Sequence, residues 1–233
     1  APARMSIDRV FSLKGFGTIV TGTLIEGKIS VDDEMTIYPS EKKVKVRNLQ
    51  VHGCDVKTAY AGQRTAINLS NIKVSEIQRG DVIAQTGSVE ESMMIDVNIS
   101  LVEHCKKSLK HWDRIRIFHG TKQILCRIVP LNEDEIQYGE SGYAQLRLEE
   151  KIVAKKGDRF IIRSYSPMDT IGGGVIIDTA PKKHKIYDES VIEALKIKEK
   201  GELKDILEEY LKLNLSNYIT LKELVSYTGE KEE

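Results

Sequence analysis

Residues 22–29 read "GTLIEGKI", so Gly22, Gly27 and Lys28 stand at the spacing of a phosphate-cradling loop. Such a loop needs glycines that let backbone N–H groups wrap the phosphate and a Lys for the terminal phosphates. It also needs a hydroxyl for Mg²⁺ and a helix whose N-terminus faces the anion. Here the hydroxyl position is Ile29, and both flanks are β-branched runs, "GTIVTGTLIEG" before and "ISVDDEMTIYP" after. The context reads as strand, turn, strand, a hairpin in which the glycines serve backbone geometry. A second glycine cluster, Gly172–Gly174, also lacks a following helix; "GGGVIID" is a strand with close backbone packing.

Other chemistry-bearing residues are equally sparse. His104, His111 and His119 lie seven and eight apart, which fits neither a helix face nor a hairpin pair, so surface or turn positions are expected and no metal site. Cys54, Cys105 and Cys126 are odd in number with no C-x-x-C pair, which implies free thiols in a reducing compartment. No nucleophile–base pair and no carboxylate dyad is apparent, so no catalytic residue is assigned. Lys plus Arg number 35 and Asp plus Glu 35, so any nucleic-acid contact must come from a local patch. "CKKSLKHWDRIRI" is such a patch, although Lys106, Lys107 and Lys110 also fit a solvated face. No apolar run is long enough to span a membrane, and no signal peptide precedes the first strand.

The elements that would position these residues are mostly strands. Over residues 5–88, "MSIDRVFSL", "FGTIVTGTLI", "EMTIYP", "KVKVRNLQV", "GQRTAINLS" and "DVIAQ" are short β-type runs separated by turns rich in Gly, Asp, Pro and Asn. Residues 92–180 repeat the style, with apolar–polar alternation in "YAQLRLE" and "CRIVPL". Two consecutive closed β-barrels are expected, in a mainly β chain. The boundaries are 1–89 for the first barrel, 90–181 for the second, and 182–233 for a basic linker and helices, with the break at "TGSVEE". Asp188 should cap a helix carrying Val191, Ile192 and Leu195 on one side and ending at Gly201. A second helix should place Leu203, Ile206, Leu207, Tyr210 and Leu211 on one stripe. Thr220 with Glu223, stapled by Ile219 and Leu224, should open a third helix reaching Gly229. A helical module that stops so early reads as incomplete.

On these residues the chain resembles a known class. "SIDRVFSLKGFGTIVTGTLIEGKISVDDEM", "AGQRTAINLSN" and "IQRGDVIA" resemble domain 2 of the elongation factor Tu class of translational GTPases. "HGTKQILCRIVPL" and "AQLRLEEKIVAKKGDRFIIRSYSPMDTIGGGVIID" resemble its domain 3, and the likeness covers roughly residues 5–180. Within the class, the helical continuation through "PKKHKIYDESVIEALKIKEKG" is similar to the selenocysteine-specific elongation factors, whose winged-helix domains bind a messenger hairpin. That resemblance implies two translation-factor barrels followed by a short, all-α, incomplete winged-helix segment.

It also implies a site. At the family's aminoacyl pocket this sequence carries Arg9 and Arg64, with Asp8 beside the first and expected to hold it. Phe11, Gly62 and Gln63 would meet the acceptor end of tRNA, Phe11 packing inward in the alternative. The loop with Arg163, Tyr165, Ser166, Asp169 and Thr170 would meet the T-stem. The implied partners are selenocysteyl-tRNA, the ribosome and a messenger hairpin, in the cytoplasm and with no membrane. GTP and Mg²⁺ would belong to a GTPase domain absent from this stretch, so the fragment itself would be no enzyme while the full-length protein would be a GTPase. Competing readings are general translational GTPase barrels with another cargo (of the elongation factor Tu type, or from the sulfate adenylyltransferase GTPase subunit), a flavin-binding barrel enzyme, and a scaffold joining two modules.

Overall fold

The computed structural model describes residues 1–213, 218–221 and 224. Nine strands come first: β1 (Arg4–Leu13), β2 (Gly17–Glu26), β3 (Lys28–Ser30), β4 (Glu34–Tyr38), β5 (Lys42–Val51), β6 (Cys54–Val56), β7 (Thr58–Tyr60), β8 (Arg64–Ser70) and β9 (Val82–Ala84). Their sheet runs β4-β9-β1-β2-β8-β5-β6, and a further β4–β5 pairing closes it into a six-stranded barrel. Alternation fills the interior: Met5, Ile7, Val20, Leu24, Ile37, Val46, Leu49 and Ile67 come from successive strands and are buried.

The second group comprises β10 (Glu91–Leu101), β11 (Leu109–Lys110), β12 (Arg114–His119), β13 (Lys122–Pro130), β14 (Glu135–Ile136), β15 (Ser141–Val153), β16 (Arg159–Ser164) and β17 (Thr170–Asp178). Six of them close a barrel in the order β10-β15-β13-β12-β16-β17. Two antiparallel barrels are therefore present, as expected from the alternating runs. The chain divides into two compact units that interleave in sequence. One is Ala1–Met93 with Ile117–Ile124 and Glu150–Ala154; the other is Met94–Arg116 with Leu125–Glu149 and Lys155–Glu233.

The opening motif turns out to be a corner. β2 pairs with β1 and β8, while β3 pairs with β7, so β2 and β3 do not form the expected hairpin with each other. Gly27 redirects the chain at φ +69°, where a Cβ would lie 2.6 Å from the Ala1 carbonyl oxygen. The triple glycine packs as anticipated: a Cβ on Gly174 would lie 2.3 Å from the Asn98 carbonyl oxygen and 2.7 Å from the Phe160 ring.

Two helices follow, α1 (Glu189–Lys200) and α2 (Leu203–Leu213). Asp188 caps α1 by accepting from the Ser190 N–H at 3.1 Å. Leu195 is buried against Val129, Leu131 and Ile177, with Val191 and Ile192 beside it. Polar contacts fasten the same segment to its barrel. His184 Nε2 is 2.6 Å from Asp96 Oδ2, Lys198 Nζ is 2.5 Å from Asp178, and Tyr143 donates to Glu199 at 2.7 Å. On α2, Ile206 is buried and Leu211 is exposed, so the predicted stripe is only partly covered. The predicted capping box at Glu223 and the third helix to Gly229 lie outside the described residues.

Candidate functional site

The site begins with an irregularity in β1. Ile7 pairs with Gly22 and Arg9 pairs with Thr21, so Asp8 is an extra residue opposite no partner, a β-bulge. Before the bulge Met5 and Ile7 point into the core; after it Val10 packs against the core while Arg9 and Phe11 face out. Phe11 is 37% exposed, which excludes the inward-packing alternative. A bulge re-aims side chains. Here it turns the Asp8 carboxylate across β2 to β8.

Arg64, the first residue of β8, clasps that carboxylate. Its Nη1 lies 2.6 Å from Oδ2 and its Nη2 3.2 Å from Oδ1, a two-pronged contact. Thr21 Oγ1 donates to Asp8 Oδ1 at 2.6 Å. Burial pushes the Asp8 carboxyl up. The hydrogen bonds from Arg64 and Thr21, with the charges of Arg64 and Arg9, outweigh it and hold the group below the usual carboxylate range. The expected partnership is thus corrected: Asp8 holds Arg64, not its chain neighbour Arg9. After the bulge Arg9 faces out beside Asp8, yet the carboxylate makes its hydrogen bonds across the sheet to Thr21 and Arg64, and Arg9 reaches it only through its charge.

A shallow depression of about 210 Å³ adjoins Arg64, lined by Thr21, Gln50, His52, Arg64, Thr65 and Ala66. Ligand clefts for drug-sized molecules run to roughly 300–1,000 Å³, so this one suits a single amino-acid side chain. Its lining combines small residues, Thr21 and Ala66, with the longer side chains of Arg64, Gln50 and His52. Arg9 does not line it. Of the acceptor-end candidates, Gly62 takes φ +89° in the turn before β8. Gln63 closes that turn, its side-chain oxygen accepting from the Tyr60 N–H at 2.7 Å. Thr21 and His52 were missed by sequence reasoning. Register alone places them, and no motif marks either.

In the second barrel, Arg163 pairs with Thr170 across the β16–β17 loop. Arg163 donates to the Met168 carbonyl, and the Asp169 carbonyl accepts from the Ser164 N–H at 2.9 Å. Tyr165 and Ser166 are exposed on this loop. The Tyr165 ring carries Arg114 at 4.8 Å and Arg116 at 5.3 Å over its centroid. These two arginines were not singled out, although "DRIRIF" places both on one strand face. Lys106, Lys107 and Lys110 are exposed, Lys110 lying 3.6 Å from Glu135.

Other candidates resolve plainly. His104 and His111 are at the surface, His111 stacking on Trp112, but His119 is buried in β12, contrary to expectation. All three cysteines are free, and burial pushes the Cys126 thiol up to about 12. Among the described residues, no three His, Cys, Asp or Glu side chains gather as a metal site. None of the described helices is long and apolar enough to cross a membrane.

Comparison with known proteins agrees with the two-barrel fold. Residues 17–84 match the model for elongation factor Tu domain 2, and residues 96–183 match that for the selenocysteine-specific elongation factor β-barrel domain. The selenocysteine-specific elongation factor of Desulfomicrobium baculatum is 39% identical over 180 residues, covering 77% of this chain and 28% of the relative. That of Methanocaldococcus jannaschii is 30% identical over 222 residues, covering 81% and 47%. The crystal structure of the translation elongation factor SelB from Methanococcus maripaludis, in its apo form, superposes with a TM-score of 0.68 at 26% identity, over 78% of this chain and 43% of that one. The chain spans less than half the length of these relatives. It belongs to the selenocysteine-specific elongation factor family, and its two barrels are barrel domains of a translational GTPase.

Proposed function

We propose that the first barrel, residues 1–89, receives the selenocysteyl end of a charged tRNA at Asp8, Arg9 and Arg64. Phe11, Gly62 and Gln63 lie toward the acceptor end. The second barrel, residues 90–181, takes the T-stem along Arg163, Tyr165, Ser166, Asp169 and Thr170. Residues 182–233 lead into the winged-helix region that contacts a messenger hairpin. In the intact cytoplasmic factor a separate GTPase domain binds GTP and Mg²⁺ and hydrolyses GTP when the ribosome accepts the tRNA. The Gly22–Gly27–Lys28 spacing does not fit that nucleotide: Lys28 lies in β3 and the space beside Gly27 is filled by Ala1 and Ala3.

One observation carries the cargo assignment, the two-pronged Asp8–Arg64 pair beside Arg9. One acid against two guanidiniums leaves one net positive charge. A selenol is a stronger acid than a thiol, so selenocysteine is an anion at neutral pH and matches that charge. Asp8 engages only two of the five guanidinium N–H groups of Arg64, so the others remain available to a second anion. A seryl group is neutral and would leave the positive charge unmatched. On the second barrel, Arg116 over Tyr165 offers a cation of the kind phosphate contacts use, while Arg114 over the same ring is already paired with Glu149 at 2.6 Å.

The test is GTP-dependent binding of selenocysteyl-, cysteinyl- and seryl-tRNA to the complete factor at fixed salt. Preference for the selenocysteyl form is expected. Equal affinity for all three would overturn the cargo assignment.

A further inference from the structure

Of the residues lining the depression, only Arg64 belongs to the expected aminoacyl set. On the β5–β8 pairing, Gln50 faces Ala66 and Val51 faces Thr65; His52 follows in the turn after β5 and lines the same depression as Arg64. Gln50 and His52 are both exposed, on either side of buried Val51. Both line the depression.

The donors facing this space are few. Gln50 spends its amide N–H on Asp55 at 2.9 Å. Arg64 spends two N–H groups on Asp8. The His52 imidazole has no hydrogen-bond partner among the described residues, and it can donate from a ring nitrogen in either tautomer. Arg9 faces Thr21 from β1, one strand away, and does not line the depression.

The backbone at His52 adds a second observation. His52 and Gly53 take φ +52° and +81° between paired Val51 and Cys54. Two successive positive φ values make this the hairpin turn for which Asn-Gly is the preferred sequence. Backbone geometry therefore gives no reason for histidine here, whereas the residue lines the same depression as a guanidinium.

We infer that His52 is a specificity-determining residue of the aminoacyl site, the second donor that closes on the selenolate together with Arg64. This rests on the proposal that the first barrel carries selenocysteyl-tRNA. The socket is then Arg64 and His52 together with Thr21 and Ala66, which line the same depression. Arg9 supplies charge from outside it.

His52→Asn in the complete factor tests this, because asparagine suits the turn better and should preserve the fold. GTP-dependent binding of selenocysteyl- and seryl-tRNA is measured for wild type, His52→Asn and His52→Gln. The preference for selenocysteyl-tRNA should fall about tenfold in His52→Asn, the loss expected for one donor to a charged group. Seryl-tRNA binding should stay near wild type, and His52→Gln, whose amide reaches further, should recover part of the preference. An unchanged preference in His52→Asn overturns the inference, as does an equal loss for both tRNAs, which would mark the turn as merely structural. A wild-type factor without any preference refutes the cargo proposal itself, and that outcome is visible before any variant is made.

Discussion

Arg64→Ala separates the fold from the cargo, because the two depend on this arginine by different amounts. The Asp8 side chain is 19% exposed and that of Arg64 is 54% exposed. A pair this open to solvent is worth about 1 kcal/mol, well short of the roughly 3–5 kcal/mol lost when a fully buried pair is broken. Asp8 also keeps the Thr21 hydroxyl at 2.6 Å and the charge of Arg9. The melting temperature of the first unit should therefore fall by about 4–8 °C, the scale for a cooperative unit of roughly 100 residues. The loss should also depend on pH. Asp8 titrates below its unfolded value, so the pair adds stability above the ordinary carboxylate range and loses it as the pH falls through the folded value. The wild-type advantage over Arg64→Ala should accordingly vanish in acid. For the cargo, a hydrogen bond to a charged group is worth about 1.5–3 kcal/mol, or roughly ten- to hundredfold in affinity. Selenocysteyl-tRNA binding to the complete factor should weaken by that factor while seryl-tRNA binding changes little. Arg64→Lys, which keeps the charge and loses the fork, should fall between the two. Equal losses for both tRNAs, or a loss no larger than the stability change explains, would refute the anion-site reasoning.

Two further predictions concern the scaffold. His184→Ala should destabilise the second unit by about 3–5 kcal/mol at neutral pH, since it strands the buried Asp96 carboxylate with only Gln145 as a side-chain donor. Burial raises Asp96 and His184 opposes that rise, so the variant's deficit should shrink as the pH falls and Asp96 protonates; urea titrations showing the same deficit at neutral and acidic pH would count against this. Gly22→Ala should cost about 1–3 kcal/mol or more, because its Cβ would lie 2.1 Å from the Ser6 carbonyl oxygen, whereas Lys28→Ala on an exposed position should stay within about 0.5 kcal/mol. Denaturant midpoints in the reverse order would restore a role for the lysine that the corner geometry denies it.

The barrels were legible because each strand buries one face, and a period of two in runs such as "YAQLRLE" shows which face that is. Register was not legible, because it depends on the partner strand. Thr21 and His52 could not be found for that reason: each lies beside Arg64 only through pairings of β2 and β5 with β8. The same gap led to the expectation that Asp8 would hold Arg9. Chain adjacency was a poor guide because the Asp8 carboxylate makes its hydrogen bonds across the sheet, to Thr21 and Arg64, and only the bulge shows where it points. Gly22 ties these points together. Its spacing to Gly27 and Lys28 imitates a phosphate loop, yet it pairs with Ile7, the last regular residue before the bulge. There the Ser6 carbonyl approaches so closely that no side chain fits. A Cβ at position 22 would push β1 away just where it must kink, and without the kink Asp8 would not reach Thr21 and Arg64. The glycine that suggested nucleotide chemistry thus serves the site by a different route. It lets one strand bulge, and the bulge assembles the carboxylate–guanidinium pair that gives the first barrel its candidate anion site.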